Sequence, residues 1–169
     1  MDNKQDLTQG SIMGKLTRFF FPILFGLLFF QLYNTVDAVV VGRCIGPLTL
    51  DVAPMIFSGG LGLGSRAAFA RLALLAERCG AMLGASRGAV AAGYADYRFQ
   101  IGQTGVSVQP KLYVAFGISG AVQHLSGILR AGQIVAVNTD PRAPILEYAD
   151  YAVIADANQV IEKLLKRFA

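Results

Sequence analysis

Charged residues, cysteines and basic runs are all scarce in this sequence. Only 15% of its 169 residues are charged, whereas 54% are hydrophobic, and this composition excludes a disordered chain. The net charge is +4, but no basic run concentrates it, so nucleic-acid binding gains no support. Cys44 and Cys79 lack the spacing of a metal site, and we interpret both as packing residues in a reducing compartment. The chain also lacks a catalytic triad or paired carboxylates, so we expect neither catalytic residues nor a metal site.

The longest apolar run lies in the first fifty residues. Phe19–Phe30 is unbroken, and the surrounding stretch of residues 16–33 has the aromatic ends of a first membrane helix. A signal peptide fits less well, because no small-x-small cleavage site follows the run. A buried soluble helix is the other alternative, although the run has no amphipathic stripe. We therefore predict one apolar, candidate transmembrane helix ahead of the rest of the chain.

Part of this first segment resembles a known protein family. Residues 10–47 resemble the opening of multidrug and toxic compound extrusion (MATE) transporters, most specifically at Val36–Gly46, VDAVVVGRCIG. A single helix cannot line a transport pathway between helix bundles. We therefore predict that residues 1–50 are a transporter-like remnant fused to residues 51–169. A membrane transport protein fragment and a non-functional fusion or truncation product stay open as alternatives.

From Asp51 onward, short apolar runs alternate with amphipathic stretches. This alternation predicts an α/β domain with a doubly wound parallel sheet of about five strands. The predicted strands are Val52–Phe57, Ala81–Ala85, Leu112–Phe116, Ile134–Val137 and Tyr151–Ala155. The first predicted helix has Ser65 as its N-cap and ends at Arg78. The others cover Ser86–Ala92, residues 120–129 and Asn158–Phe168.

Glycine- and hydroxyl-rich turns follow the predicted strands. In a doubly wound sheet the carboxyl ends of the strands meet at one edge, where ligands bind. The turns that would converge there are residues 58–65, 84–88, 101–105, 117–120 and 138–140. Glycine turns that lead into helices suit an anionic cofactor. The GxGxG of Gly60–Gly64 is not the dinucleotide fingerprint, and a fold that binds NAD or an adenine nucleotide without redox function stays an alternative.

Several separated motifs carry a second resemblance. They are SGGLGLGS from Ser58, LGASRGAVAAG from Leu83, IGQTG from Ile101, LYVAFGISGAVQHLSG from Leu112, and NTDPRAPILEYADY from Asn138. In this order, residues 52–168 resemble the C-terminal domain of the electron-transfer flavoprotein alpha subunit. The resemblance implies a Rossmann-like FAD-binding domain, FAD as cofactor and electron transfer without enzymatic turnover. It also implies a cytoplasmic flavin domain, an electron-transfer flavoprotein beta subunit as partner and flavin dehydrogenases as electron donors.

The resemblance also implies the residues that contact FAD. Carried over by position, these are Ser86, Arg87, Ile101, Gly102, Gln103, Thr104, Ser119, Gly120, Ala121, Val122, Gln123, His124, Asn138, Asp156 and Ala157. Arg87 is expected near the isoalloxazine ring and Thr104 near its N5. His124 is expected near N1 and O2, where it would stabilise the anionic one-electron-reduced flavin. Charge and hydrogen bonds near N1 and N5 are the means by which a protein tunes a flavin.

Four of these residues also have simpler interpretations, and two positions depart from the family. Ser119 and Asp156 could be helix caps, His124 could be a buried structural histidine, and Arg87 could be a surface charge. Leu61 stands where the family has an arginine, so one cationic contact to FAD is expected to be lost, and Ala91 stands where the family usually has an acid. The family's N-terminal domain, which joins the beta subunit, has no counterpart in the resemblance, because residues 1–50 stand in its place.

Overall fold

The computed structural model describes residues 53–168. The predicted apolar helix, the membrane span at 16–33 and the transporter-like segment lie outside these residues. Five parallel strands form one sheet in the order β2-β1-β3-β4-β5, which confirms the doubly wound α/β prediction. The strands are β1 (Met55–Gly59), β2 (Met82–Ala85), β3 (Leu112–Phe116), β4 (Gln133–Asn138) and β5 (Tyr151–Ile154).

Within residues 53–168, five α-helices connect or follow these strands. They are α1 (Arg66–Arg78), α2 (Arg87–Ala91), α3 (Val122–Leu125), α4 (Ile145–Tyr148) and α5 (Ala157–Arg167). Ser65 caps α1 as predicted, because its Oγ accepts a hydrogen bond from the Ala68 N–H at 3.1 Å. No helix between residues 53 and 168 combines the length and apolar composition that a membrane span requires.

Two predicted elements differ from the structure by two residues or more at an end, and the others by at most one. Strand β1 begins after Pro54, whose carbonyl oxygen accepts from the N–H groups of Lys111 and Leu112, and its pairing with β3 extends it to Gly59. Helix α3 ends at Leu125 rather than continuing to residue 129. Beyond it the backbone continues in turns, in which the Gly127 N–H donates to the His124 carbonyl at 3.0 Å and the Ile128 N–H to the Leu125 carbonyl at 2.9 Å.

The sheet is buried on both faces, as the uniformly apolar strands require. On one face, Phe57, Val114 and Val135 pack against the long helices α1 and α5. On the other face, Ile56, Tyr113 and Ala136 pack against residues 101–108, α3, α4 and the connections between them. Short segments rather than long helices therefore cover the second face.

The strand order places a topological switch point between β1 and β3, because the chain leaves these two neighbours in opposite directions across the sheet. The turns after them meet backbone to backbone. The Gly60 N–H donates to the Phe116 carbonyl at 2.8 Å, and the Gly62 N–H donates to the Gly117 carbonyl at 3.0 Å. A Cβ on Gly60 would overlap the Gly117 carbonyl oxygen. Glycine is therefore required where the two turns cross.

Candidate cofactor site

A cavity of about 740 Å³ opens at the carboxyl edge of the sheet, at this switch point. Its volume is in the range of cofactor sites, roughly 300–1,000 Å³. Its lining consists of Leu61, Gly62, Ser86, Arg87, Gly88, Ala91, Ile101, Gly102, Gln103, Thr104, Gly117, Ile118, Ser119, Gly120, Ala121, Gln123, His124 and Asn138. Four of the five turns predicted to converge, and the first residue of the fifth, therefore contribute to one pocket.

The turn at residues 117–121 supplies unpaired backbone donors. Gly117 and Gly120 have φ values of 64° and 87°, a conformation that favours glycine. Two carbonyls of the turn are held by more distant residues: the Asn138 Nδ2 donates to the Ile118 carbonyl at 2.9 Å, and the Ile145 N–H donates to that of Ser119 at 3.0 Å. Among residues 53–168, however, the N–H groups of Ile118 to Ala121 find no acceptor. Such a run of free N–H groups suits an anionic ligand.

Arg87 gives the pocket its charge. It is exposed at the start of α2, where Ser86 caps the helix by accepting from the Ala89 N–H at 3.3 Å. Within the part of the chain that the structure describes, the guanidinium makes no hydrogen bond or ion pair. The pocket lining contains no carboxylate and no second lysine or arginine. Arg87 therefore makes the pocket cationic and remains available to an anion.

Residues 101–104 form the wall of the pocket opposite the turn at 117–121, and side chains hold this wall in place. Gln100 is only 4% exposed, and its Nε2 donates to the Thr104 carbonyl at 3.1 Å and to Thr104 Oγ1 at 2.9 Å. The Tyr97 hydroxyl donates to the same carbonyl at 2.7 Å. Because Thr104 Oγ1 is the acceptor for Gln100, its own hydroxyl hydrogen can be donated to a ligand.

His124 lines the pocket beside residues 101–104 and is only 6% exposed. Its Nδ1 lies 3.0 Å from the Ile101 carbonyl oxygen, and its Nε2 lies 2.8 Å from the Tyr113 hydroxyl. A carbonyl can only accept, so Nδ1 carries the hydrogen, and the Nε2 of the neutral ring accepts from Tyr113. Burial lowers the pKa of His124 to about 4, so the ring is uncharged at neutral pH. A direct bond from a ring nitrogen to a ligand requires exchange of one of these partners.

The structure brings together all the predicted contact residues except three. Val122 is 76% exposed at the start of α3 and does not line the pocket. Asp156 caps α5, accepting at Oδ1 from the Asn158 N–H at 2.7 Å and the Gln159 N–H at 3.0 Å, and Ala157 is buried beside it. Cofactor contacts at these positions stay predictions that the pocket does not support. Ser119 is not a helix cap, because α3 is capped at Ala121.

Some lining residues were not among the predicted contacts. They are Leu61, Gly62, Gly88, Ala91, Gly117 and Ile118. Most of them lie in glycine turns that the sequence already directed to this edge of the sheet. Their omission follows from choosing residues by side-chain chemistry, since Gly62 and Gly117 contribute backbone only.

A doubly wound sheet with anion-binding turns at its switch point defines a nucleotide- or flavin-binding α/β domain. Residues 49–129 match the family model described as "Electron transfer flavoprotein FAD-binding domain". Over these residues the chain is similar to that family.

Curated relatives agree with this assignment. The chain is 47% identical over 135 residues to the electron transfer flavoprotein subunit alpha of Bacillus subtilis, covering 80% of this chain and 42% of that protein. It is 50% identical over 115 residues to the Paracoccus denitrificans subunit alpha, covering 68% and 37%. The mitochondrial subunit alpha of Oryza sativa subsp. indica is also 50% identical over 115 residues, with coverage of 68% and 32%. The chain therefore spans about two fifths or less of these relatives.

The residues present fit FAD, the cofactor of the family. The free N–H groups at 118–121 and the unpaired Arg87 suit the two negative charges of a pyrophosphate. The Thr104 hydroxyl is placed to donate to an acceptor such as a flavin ring nitrogen.

Proposed function

We propose that residues 51–169 form the FAD-binding electron-transfer domain of an electron-transfer flavoprotein alpha subunit. The observation that carries the proposal is the donor set of the pocket. Unpaired backbone N–H groups at 118–121 and the cationic Arg87 line one cavity at the switch point of the sheet. That cavity has no negative side chain on its lining, so it favours a dianionic pyrophosphate over a neutral ligand.

The chain's own residues would bind and orient the cofactor. The free N–H groups of Ser119 and Gly120 would hold the pyrophosphate, with Arg87 adding a fixed positive charge. The Thr104 hydroxyl would donate to the flavin ring from a loop that Gln100 fixes. His124 would present an uncharged ring to the pocket, with both of its nitrogens already hydrogen-bonded within the protein. Bound FAD itself supplies the redox chemistry, accepting and releasing electrons.

We infer an electron-transfer flavoprotein beta subunit as partner and flavin dehydrogenases as electron donors, because the relatives are named alpha subunits of electron transfer flavoproteins. A cytoplasmic flavin domain stays a sequence prediction. The transporter-like segment at 1–50 and membrane association through 16–33 stay sequence predictions. None of the matches above supports them or a transport function.

The test starts from the full chain, saturated with FAD and freed of unbound flavin by gel filtration. We expect a yellow complex whose flavin is reduced by anaerobic dithionite and reoxidised by an artificial electron acceptor while it stays bound. A folded chain that elutes without flavin contradicts the proposal. A parallel arm adds an electron-transfer flavoprotein beta subunit, and co-elution tests the proposed partner separately from cofactor binding.

A further inference from the structure

Tyr113 is buried in the middle of β3 and is not part of the pocket lining. Its side chain is fully inaccessible, yet its hydroxyl reaches His124 Nε2 at 2.8 Å, with the two rings tilted by 51°. Burying a hydroxyl is costly unless it is hydrogen-bonded. A phenylalanine would fill nearly the same volume without that requirement. The hydroxyl at this position therefore has a role beyond packing.

The His124 ring connects three parts of the molecule. Its backbone belongs to α3, its Nε2 is bound to Tyr113 of the sheet, and its Nδ1 is bound to the carbonyl of Ile101, which begins the 101–104 wall. The wall touches α3 again at the next residues, where the Gln103 N–H donates to the Gln123 carbonyl at 2.7 Å. A ring that turned over would lose its bond to Ile101, so its orientation sets the position of the wall.

We propose that Tyr113 is a positioning residue for the cofactor pocket, acting through His124. By donating to Nε2, Tyr113 fixes the orientation of the ring, whose Nδ1–H donates to the Ile101 carbonyl and so holds the 101–104 wall in place. The effect on FAD binding rests on the function proposed above, whereas the effect on the ring does not.

The neighbours of Tyr113 support this assignment. Burial raises the pKa of the Tyr113 hydroxyl well above its usual range, so the hydroxyl keeps its proton and stays a donor. Ser58, on the adjacent strand β1, acts on this pKa in the opposite direction from burial, and its buried Oγ has no hydrogen-bond partner among the described residues. Ser58 could lower the pKa only by donating to the Tyr113 oxygen, so it does not compete for the hydrogen that Tyr113 donates to His124.

The tautomer can be read directly, because the chain contains a single histidine. In the ¹⁵N spectrum of histidine-labelled full chain, we expect a protonated Nδ1 and an unprotonated Nε2 at pH 7. In Tyr113→Phe the Ile101 carbonyl still accepts from Nδ1, so we expect the ring to keep its Nδ1–H, the Nε2 resonance to shift as its hydrogen bond is lost, and the Nδ1–H to exchange faster with solvent. An Nε2–H ring in the parent, or an unchanged Nε2 resonance and an unchanged Nδ1–H exchange rate in the variant, overturns the inference. Neither readout needs FAD.

Cofactor binding provides the second readout. We expect the FAD dissociation constant of Tyr113→Phe to rise about tenfold, as the loss of a buried hydrogen-bond partner typically produces. Tyr148→Phe is the matched control, because Tyr148 is half exposed in α4 and away from the pocket lining. A parent that binds no FAD refutes the proposed function, and the spectrum still decides the tautomer.

A double-mutant cycle distinguishes an effect that Tyr113 exerts through His124 from a general effect on the structure. In His124→Asn the amide can replace the Nδ1–H donor to Ile101, but it offers nothing in place of Nε2. If Tyr113 acts through His124, adding Tyr113→Phe to His124→Asn changes FAD affinity less than twofold. A full tenfold loss in that background contradicts the inference. If Tyr113→Phe alone does not fold, the Nε2 resonance of the parent decides: an unprotonated, hydrogen-bonded Nε2 supports the inference, and an Nε2 that is protonated or not hydrogen-bonded overturns it.

Discussion

The two walls of the pocket are held in opposite ways. The wall at residues 117–121 is fixed by backbone against backbone, with the Gly60 turn packed directly on Gly117, and it leaves its N–H groups free. The wall at 101–104 is fixed by the side chains of Gln100, Tyr97 and His124. The first wall depends on the absence of side chains, and the second depends on particular ones. The same substitution is therefore expected to act differently on each wall.

The largest effect is expected where the glycine turns cross. In Gly60→Ala the new Cβ overlaps the Gly117 carbonyl, and both backbones are already fixed by their hydrogen bonds. We expect the free energy of unfolding to fall by about 3 kcal/mol or more. Denaturant unfolding of the full chain measures it. Gly88→Ala is the control, because its Cβ would meet no atom within 3.4 Å inside helix α2; a loss as large as that of Gly60→Ala would contradict the account.

The side-chain wall should respond to acid. His124 has its pKa lowered to about 4 by burial, against 6.5 as its ordinary value. The unfolded chain therefore binds a proton between these pH values that the folded chain does not. Stability is highest above pH 6.5 and falls as the pH drops toward 4, by about 3 kcal/mol from this group.

Unfolding free energies at pH 7 and pH 4 test this, with His124→Asn as the reference that cannot titrate. The parent should lose about 3 kcal/mol more than the variant over this interval. Carboxylates affect both proteins alike and cancel in the difference. Parallel pH profiles would show that His124 is not buried as a neutral ring.

Removing the pocket's charge should weaken binding without loosening either wall. In Arg87→Gln we expect the FAD dissociation constant to rise about tenfold, since a charge-assisted hydrogen bond contributes roughly 1.5–3 kcal/mol. The unfolding free energy should stay the same, because Arg87 makes no hydrogen bond with the described residues. Arg142→Gln, at an exposed position off the pocket lining, serves as the control. Equal affinity for FAD in both variants would remove Arg87 from the site.

The smallest effect is expected from restoring the cation that the family carries at position 61. Leu61 lines the cavity but is 55% exposed, so solvent screens any charge placed there. Leu61→Arg should tighten FAD binding several-fold, with a stronger salt dependence than the parent. Leu61→Gln separates charge from polarity. An equal gain in FAD affinity in Leu61→Arg and Leu61→Gln would show that the added charge is not its cause.

The contrast between the walls also explains which features the sequence predicted. The glycine wall follows from topology: alternating strands and helices place the turns at one edge, so the pocket near Gly117 and Gly120 could be foreseen. The side-chain wall depends on pairs distant in sequence, such as His124 with Ile101, which no local pattern encodes. Asp156 is the opposite case, since its carboxylate caps its own helix, the local alternative that the sequence already indicated.

The central claim is that this edge of the sheet holds FAD. Its most direct test is a titration of the full chain with FAD, followed by flavin fluorescence and absorbance. We expect saturation at one FAD per chain. Arg87→Gln should lower the affinity for FAD about tenfold, and Arg142→Gln should leave it unchanged. A folded chain that leaves FAD unbound at saturating excess, or binds it equally well in Arg87→Gln, would contradict it.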